Sequence, residues 1–243
     1  MRNQYNIHFN NSNAKDIGII AIKRPSIPVP EKNLLEKEVK GRNGSVMIDY
    51  KTYKNITKDI EFNFLESKDF LERCRTIKKW FYNIQDNRLI ESDDTDYFYK
   101  VKRVVLGDIE RELKIKGTFT ASFILDPFQY SKYGLDEIIL TNNFILENPY
   151  FIEAAPIINM WGEGSITLNI NGNKLTVNLG QSIIINSDLG LSYRIVNGNT
   201  QYQNTRLKGD YPVLIEGENK ISYTLGTGAR LDKISIIPNF RTL

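Results

Sequence analysis

The chain has 243 residues, 41% hydrophobic and 25% charged, with 32 basic against 29 acidic side chains, one cysteine and one histidine. This suits a soluble globular protein made of one large β domain or two ordinary ones. The charge is too balanced to predict nucleic-acid binding by electrostatics alone, and the lone Cys74 and lone His8 exclude a conventional zinc site and an internal disulfide.

The N-terminal stretch "MRNQYNIHFN" has no apolar signal-peptide core, and no apolar run reaches membrane-spanning length. A protein made in a cytoplasm, with no membrane partner, is the expectation. Tyr5, Ile7 and Phe9 alternate on one face of a first strand, and "IGIIAIKR" follows a polar turn. Pro25, Pro28 and Pro30 then impose an extended connection. Asn43-Gly44 reads as a tight turn feeding the strand "SVMIDY", and Ile60, Phe62 and Phe64 mark a further buried face.

"SKDFLERCRTIKKWFYNIQD" predicts a helix over 67–86, capped by Ser67, with an apolar stripe of Phe70, Cys74, Ile77, Phe81 and Ile84. Cys74 thereby reads as a small core residue rather than a reactive thiol. Two or three strands follow, with a charged turn at Gly107-Asp108, up to "FTASFILDPF".

Charge density drops after that point. Residues 1–131 carry 23 basic and 19 acidic side chains, residues 132–243 only 9 and 10. The shift predicts two domains, 1–131 and 132–243. The second half reads as nearly all β. Ile166, Leu168 and Ile170 alternate, Asn171-Gly172 turns, and Leu175, Val177 and Leu179 return; another Asn-Gly turn stands at Asn197-Gly198. Trp161 is followed by "GEG", which predicts a turn beside it. Short, closely spaced strands without helical period indicate a β-sandwich.

Chemistry is sparse. His8 lies in a strand between Ile7 and Phe9 and reads as structural or exposed rather than as a catalytic base. The densest acidic run, Glu91, Asp93, Asp94 and Asp96, could offer oxygen ligands to calcium or a carboxylate pair to a glycosidase, but reads best as a solvated loop. No phosphate-binding loop, dinucleotide fingerprint or nucleophile elbow occurs, so neither an enzyme nor a bound cofactor is expected. A carbohydrate-binding module for host-surface attachment, stacking sugars on Tyr193, Tyr202, Tyr211 or Trp161, is the alternative reading. In "LKGDYPVLIEGENKISY", Gly209, Pro212, Gly217 and Asn219 specify turns around a strand.

These features in order resemble the distal tail protein (Dit) family of long-tailed bacteriophages and phage-derived tail-like particles. The resemblance rests on "GRNGSVMID", "IKKWF", "FTASFILDPF", "APIINMWGEGSITLNING", "LKGDYPVLIEGENKIS" and "ISIIPNFRTL", and spans essentially the whole chain. It implies a mainly β fold: an N-terminal β-sandwich or split barrel with one helix, then a C-terminal galectin-like β-sandwich. It implies a virion protein of the tail tip, assembled in the host cytoplasm. Six copies would form a ring joining the tail tube protein to a tail-associated spike or lysin protein. DNA would pass through the ring, and the C-terminal domain would hold a receptor-binding protein in some relatives. On that reading, subunit contacts are expected from the edges among residues 5–23, including Tyr5, Ile7 and Phe9, and from the Asn43-Gly44 hairpin. Glu91, Asp93, Asp94 and Asp96 are the candidates to face the lumen and repel DNA.

Overall fold

Alternation of apolar and polar residues dominates the sequence, and the computed structural model turns it into a mainly β protein with one α-helix. It describes residues 5–66, 68–112 and 114–243. Two compact units result: Met1–Gln129 with Leu243, and Tyr130–Thr242.

The first unit contains β1 (Ile7–Phe9), β2 (Ser12–Asn13), β3 (Ile20–Ala21), β4 (Lys32–Glu38), β5 (Ser45–Tyr53), β6 (Ile56–Leu65), α1 (Phe70–Tyr82), β7 (Arg88–Glu91), β8 (Asp94–Leu106), β9 (Glu110–Arg111) and β10 (Lys116–Ser131). One sheet runs β2-β1-β7-β8-β10-β6-β3, with β9 beside β10, while β4 and β5 form a separate two-stranded sheet. A continuous register pairs Ile56 with Leu125 through to Leu65 with Lys116. Ile60, Phe62 and Phe64 of β6 and Phe119, Ala121 and Phe123 of β10 thus share the buried face. The helix lays Phe70, Ile77, Trp80 and Phe81 onto it. Phe81 is the hub, with ring centroids 4.7 Å from Trp80 and 5.9 Å from each of Phe62, Phe119 and Phe123.

The helix is shorter than its sequence pattern suggests. It spans Phe70–Tyr82, and Ile84 packs on the core from beyond its end. Asn10 explains the stop: its Nδ2 donates to the Trp80 and Asn83 carbonyls at 2.7 and 2.8 Å, and its Oδ1 accepts the Gln85 N–H at 2.7 Å. A side chain from the turn between β1 and β2 therefore satisfies carbonyls that a helix end leaves open. Ser67, the expected cap, lies outside the described residues.

The second unit contains β11 (Ile138–Ile139), β12 (Phe144–Asn148), β13 (Ile157–Ile170), β14 (Asn173–Asn186), β15 (Leu191–Val196), β16 (Asn199–Tyr202), β17 (Leu207–Lys208), β18 (Gly217–Leu225), β19 (Arg230–Ile237) and β20 (Arg241–Thr242). Strand β13 is its spine. One edge pairs with β14 from Ile157–Asn186 to Ile170–Asn173. The other edge pairs with β19 up to Glu163, then with β18 from Ile166. The core is aliphatic, built from Ile158, Met160, Leu168, Val177, Ile185 and their neighbours.

The change of partner corrects the expected turn after Trp161. Gly162 and Gly164 lie inside continuous β13, at a register shift, with φ of 148° and 94°. A Cβ on Gly162 would stand 2.1 Å from the Arg230 carbonyl oxygen, and one on Gly164 would stand 2.7 Å from Ala229. The glycines let the β18–β19 connection press against β13 where the strand bends.

Candidate functional site

The first unit carries an arm that its own core leaves uncovered. It starts in the proline-rich strap, where Ile27 and Val29 are 80% and 84% exposed, and continues into the β4–β5 sheet. Leu34, Leu35, Val39, Met47, Ile48 and Tyr50 are all exposed there. Register places Leu35 opposite Ile48 on one face and Met47 opposite Glu36 on the other, so apolar side chains point both ways. No third strand joins this pair among the described residues. An isolated two-stranded ribbon is marginal in water unless something packs against it.

Asn43 and Gly44 sit at the arm's exposed tip, but the turn differs from the expected two-residue form. The strands are joined by the loop 39–44, whose left-handed residues are Gly41 and Gly44 rather than the Asn43-Gly44 pair. Tyr53 ties the base of the arm to Phe128, with centroids 5.8 Å apart.

Tyr5, Ile7 and Phe9, expected at a subunit contact, are instead 5%, 1% and 0% exposed. Strand β1 is paired on both sides, by β2 and β7, so their alternation marks the unit's own core. Alternation in sequence reports a buried face without saying what buries it.

The acidic run is also not a solvated loop. Glu91 ends β7 and Asp94 begins β8. The Glu91 carboxylate receives the ammonium of Lys58, whose side chain is 1% exposed, and the Tyr5 hydroxyl at 2.5 Å. The Lys58 ammonium also lies 4.7 Å from the Tyr99 ring centroid. Arg24 pairs with Asp93 at 2.5 Å. Asp94 and Asp96 make no ion pair among the described residues, and Asp96 is exposed. Arg24, Glu91, Asp93 and Asp94 border a cavity of about 330 Å³ with Tyr5, Pro25 and Tyr99. Burial, then the Glu91 carboxylate, pushes both phenols well above the usual tyrosine range. Burial, then Glu91 and Asp96, raises the Asp94 carboxyl. Half of the run is thus tied into ion pairs, Glu91 with Lys58 and Asp93 with Arg24. Sequence reading missed Lys58, 33 residues from its partner.

His8 is half-buried, and its Nδ1 has no hydrogen-bond partner among the described residues. Cys74 is partly buried against the core, and burial raises its thiol. Among the described residues, no group of three or more His, Cys, Asp or Glu side chains is placed to hold a metal ion.

The four aromatic side chains considered for sugar stacking have separate roles. Tyr193 and Tyr202 pair across β15 and β16, Tyr211 packs on the core, and Trp161 lies under Lys233 Nζ at 4.9 Å. In the late motif, Gly209 has φ 125°, and a Cβ there would stand 2.4 Å from the Lys174 carbonyl oxygen. Pro212 is buried, and Gly217 opens β18 with φ 79°. Asn219 is fully buried: its Oδ1 accepts the Ile215 N–H, and its Nδ2 donates to the Ile215 and Gly217 carbonyls, each at 2.9 Å.

No protein-family profile matches the chain, and no curated protein matches it by sequence. In fold it is similar to the crystal structure of SPP1 Dit, described as a paradigm of the hub adsorption apparatus in phages that infect Gram-positive bacteria. The TM-score is 0.67 at 13% identity, and the match covers 98% of this chain and 99% of that one. The likeness thus extends over nearly all of both chains rather than over one module. The mainly β, β-sandwich class expected from the sequence agrees with this match.

Proposed function

We propose that this chain is a structural, non-enzymatic hub subunit at the distal end of a phage tail. The observation that carries the reading is the end-to-end likeness in fold to a hub adsorption protein, covering nearly all of both chains. Copies would assemble into a sixfold ring, joining the tail tube to the tail-tip proteins and leaving a channel for DNA. The first unit would form the ring, and the second would hold a receptor-binding partner.

The uncovered arm supports this reading. A ribbon with apolar side chains on both faces gains most of its stability from a neighbour, and a ring offers each subunit an identical one. Fully burying Leu35 and Ile48 would contribute about 1.5–3 kcal/mol each before the cost of ordering the arm. With Glu91 and Asp93 ion-paired, Asp94 and Asp96 are the carboxylates left to line a channel.

Negative-stain microscopy and mass photometry of the full chain test the proposal, alone and co-expressed with a tail tube protein from the same genome. Sixfold rings are expected for the native chain, and monomers with unchanged circular dichroism for the double variant Leu35→Asp, Ile48→Asp. A native chain that stays monomeric in both settings, or a variant that still forms rings, overturns it.

A further inference from the structure

We propose that β16 is an open docking edge that takes a short, extended, uncharged segment of a partner protein as an added strand. The second unit's sheet ends at β16, which pairs with β15 alone among the described residues. Asn197 and Gly198 join the two strands, with φ of 50° and 78°. Two left-handed residues make the tight turn of a two-residue hairpin. That turn decides which backbone groups bond inward. The flanking residues Val196 and Asn199 form a hydrogen-bonded pair, and the bond recurs at every second pair. The Gln203 N–H, donating to the Ser192 carbonyl at 2.7 Å, keeps the same alternation. Thr200 and Tyr202 fall between the bonded pairs, opposite Ile195 and Tyr193. Their N–H and C=O groups therefore point away from β15, where no further strand meets them among the described residues.

The side chains on this edge form an unfinished row. Register aligns Ile184 of β14 with Tyr193 of β15 and Tyr202 of β16. The row runs off the sheet, because Tyr202 is 70% exposed, and Ile195 beside it is 59% exposed. A further strand would add the next member, and an aromatic or β-branched side chain next to Tyr202 is the stabilising choice. The edge is also undefended. Residues 196–205 contain no charged side chain and no proline, in a chain that is 25% charged. Edges that must stay free are guarded by lysine, proline or a bulge, and the β15–β16 register has no irregularity.

These features define the occupant. Outward main-chain groups at two alternate residues accept a segment of about three to five residues through its own backbone. An edge without charge gives a charged segment nothing to pair with, so the matching sequence is uncharged and alternates apolar with polar residues. A second copy using this same edge would need a twofold axis between the two chains. A cyclic ring lacks that axis, and on this point the inference rests on the ring reading.

The test is amide NMR on the full chain with the peptide acetyl-Thr-Val-Thr-Val-Thr-amide, and with the same peptide N-methylated at its three central residues. The unmethylated peptide is expected to bind with millimolar affinity, shifting the Thr200 and Tyr202 amides and slowing their hydrogen exchange. The methylated peptide should not bind. Thr200→Pro removes one outward N–H at an edge position that tolerates proline, and should abolish binding at unchanged Tm. Tyr202→Lys should weaken binding about fivefold, the scale of one lost cross-strand pair. Should one variant misfold, the other still decides. No binding by the unmethylated peptide, equal binding by the methylated one, shifts elsewhere on the chain, or unchanged binding in the folded variants overturns the proposal. Mass photometry showing dimers that Thr200→Pro dissolves would also overturn it, since the occupant would then be a second copy. The peptide result reads the same on monomers and on rings, so its failure is distinct from a failure of ring assembly.

Discussion

In the first unit the one deeply buried charged side chain among the described residues is Lys58, closed over Glu91 and Tyr5. The second unit buries amides instead: Asn148, Asn219 and Asn239 are at most 4% exposed. Asn148 Nδ2 donates to the Ile152 and Leu214 carbonyls at 3.2 and 3.1 Å, and Asn239 Nδ2 donates to the Ala155 carbonyl at 3.1 Å. The cores differ in the same sense, with interlocking aromatic rings around Phe81 in one and aliphatic side chains in the other. An ion pair holds its place only while both partners keep their charges. A neutral amide clamp works at any ordinary pH. The first unit's buried ion pair should therefore respond to loss of charge where the second unit's amide clamps do not.

The largest effect expected on that contrast comes from Lys58→Met, which leaves the Glu91 carboxylate buried with only the Tyr5 hydroxyl. A loss of about 3–5 kcal/mol is expected for such a half-removed pair. The double variant Lys58→Met, Glu91→Gln should recover most of it, because the uncompensated charge is gone. The two tryptophans make this measurable, since Trp80 reports the first unit and Trp161 the second. Urea unfolding followed by Trp80 fluorescence in a Trp161→Phe background should show the loss. A double variant as unstable as the single one would mean that Lys58 acts by packing its stem.

Next in size is Asn219→Ala. It removes the acceptor of the Ile215 N–H and the donor to two carbonyls, and frees Asn171 from its anchor. About 2 kcal/mol is expected, less than the sum of the lost bonds because water reaches exposed Ile215. The loss should appear in Trp161 fluorescence and stay constant with pH near neutrality. A strongly pH-dependent loss would break the contrast between the units.

How much of this was readable in the sequence follows from the reach of each signal. The alternation of Ile166, Leu168 and Ile170 and the return through Leu175, Val177 and Leu179 found the central hairpin, because both strands and their Asn171-Gly172 turn fall in one short window. The helix stripe found Phe70, Ile77 and Phe81 for the same reason. What depends on distant partners stayed hidden: Asn10 ending the helix, Lys58 neutralising Glu91, and the β18–β19 connection that makes Gly162 and Gly164 a bend. Tyr5, Ile7 and Phe9 were read correctly as one face and assigned the wrong neighbour.

The smallest effect is the most specific to the first unit's charges. Burial and two neighbouring carboxylates raise Asp94 above its ordinary value, so the folded protein binds this proton more readily than the unfolded chain. The penalty is present above the raised folded-state pKa, shrinks as pH falls through it, and is absent below the unfolded value. Asp94→Asn should therefore stabilise the chain near neutral pH by about 0.5 kcal/mol or less, the scale of a solvent-screened charge. The gain should vanish in acid. Asp86 supplies the opposite sign. Hydrogen bonds from Arg88 hold its carboxyl below the ordinary value, so its contribution is full above the unfolded pKa and lost as pH falls through the folded one. Asp86→Asn should thus destabilise the chain at neutral pH and converge with the native chain in acid. Thermal melts of both variants across the carboxylate range check the pair of signs. Parallel curves for the two variants would show that side-chain packing, not charge, sets the stability at these two positions.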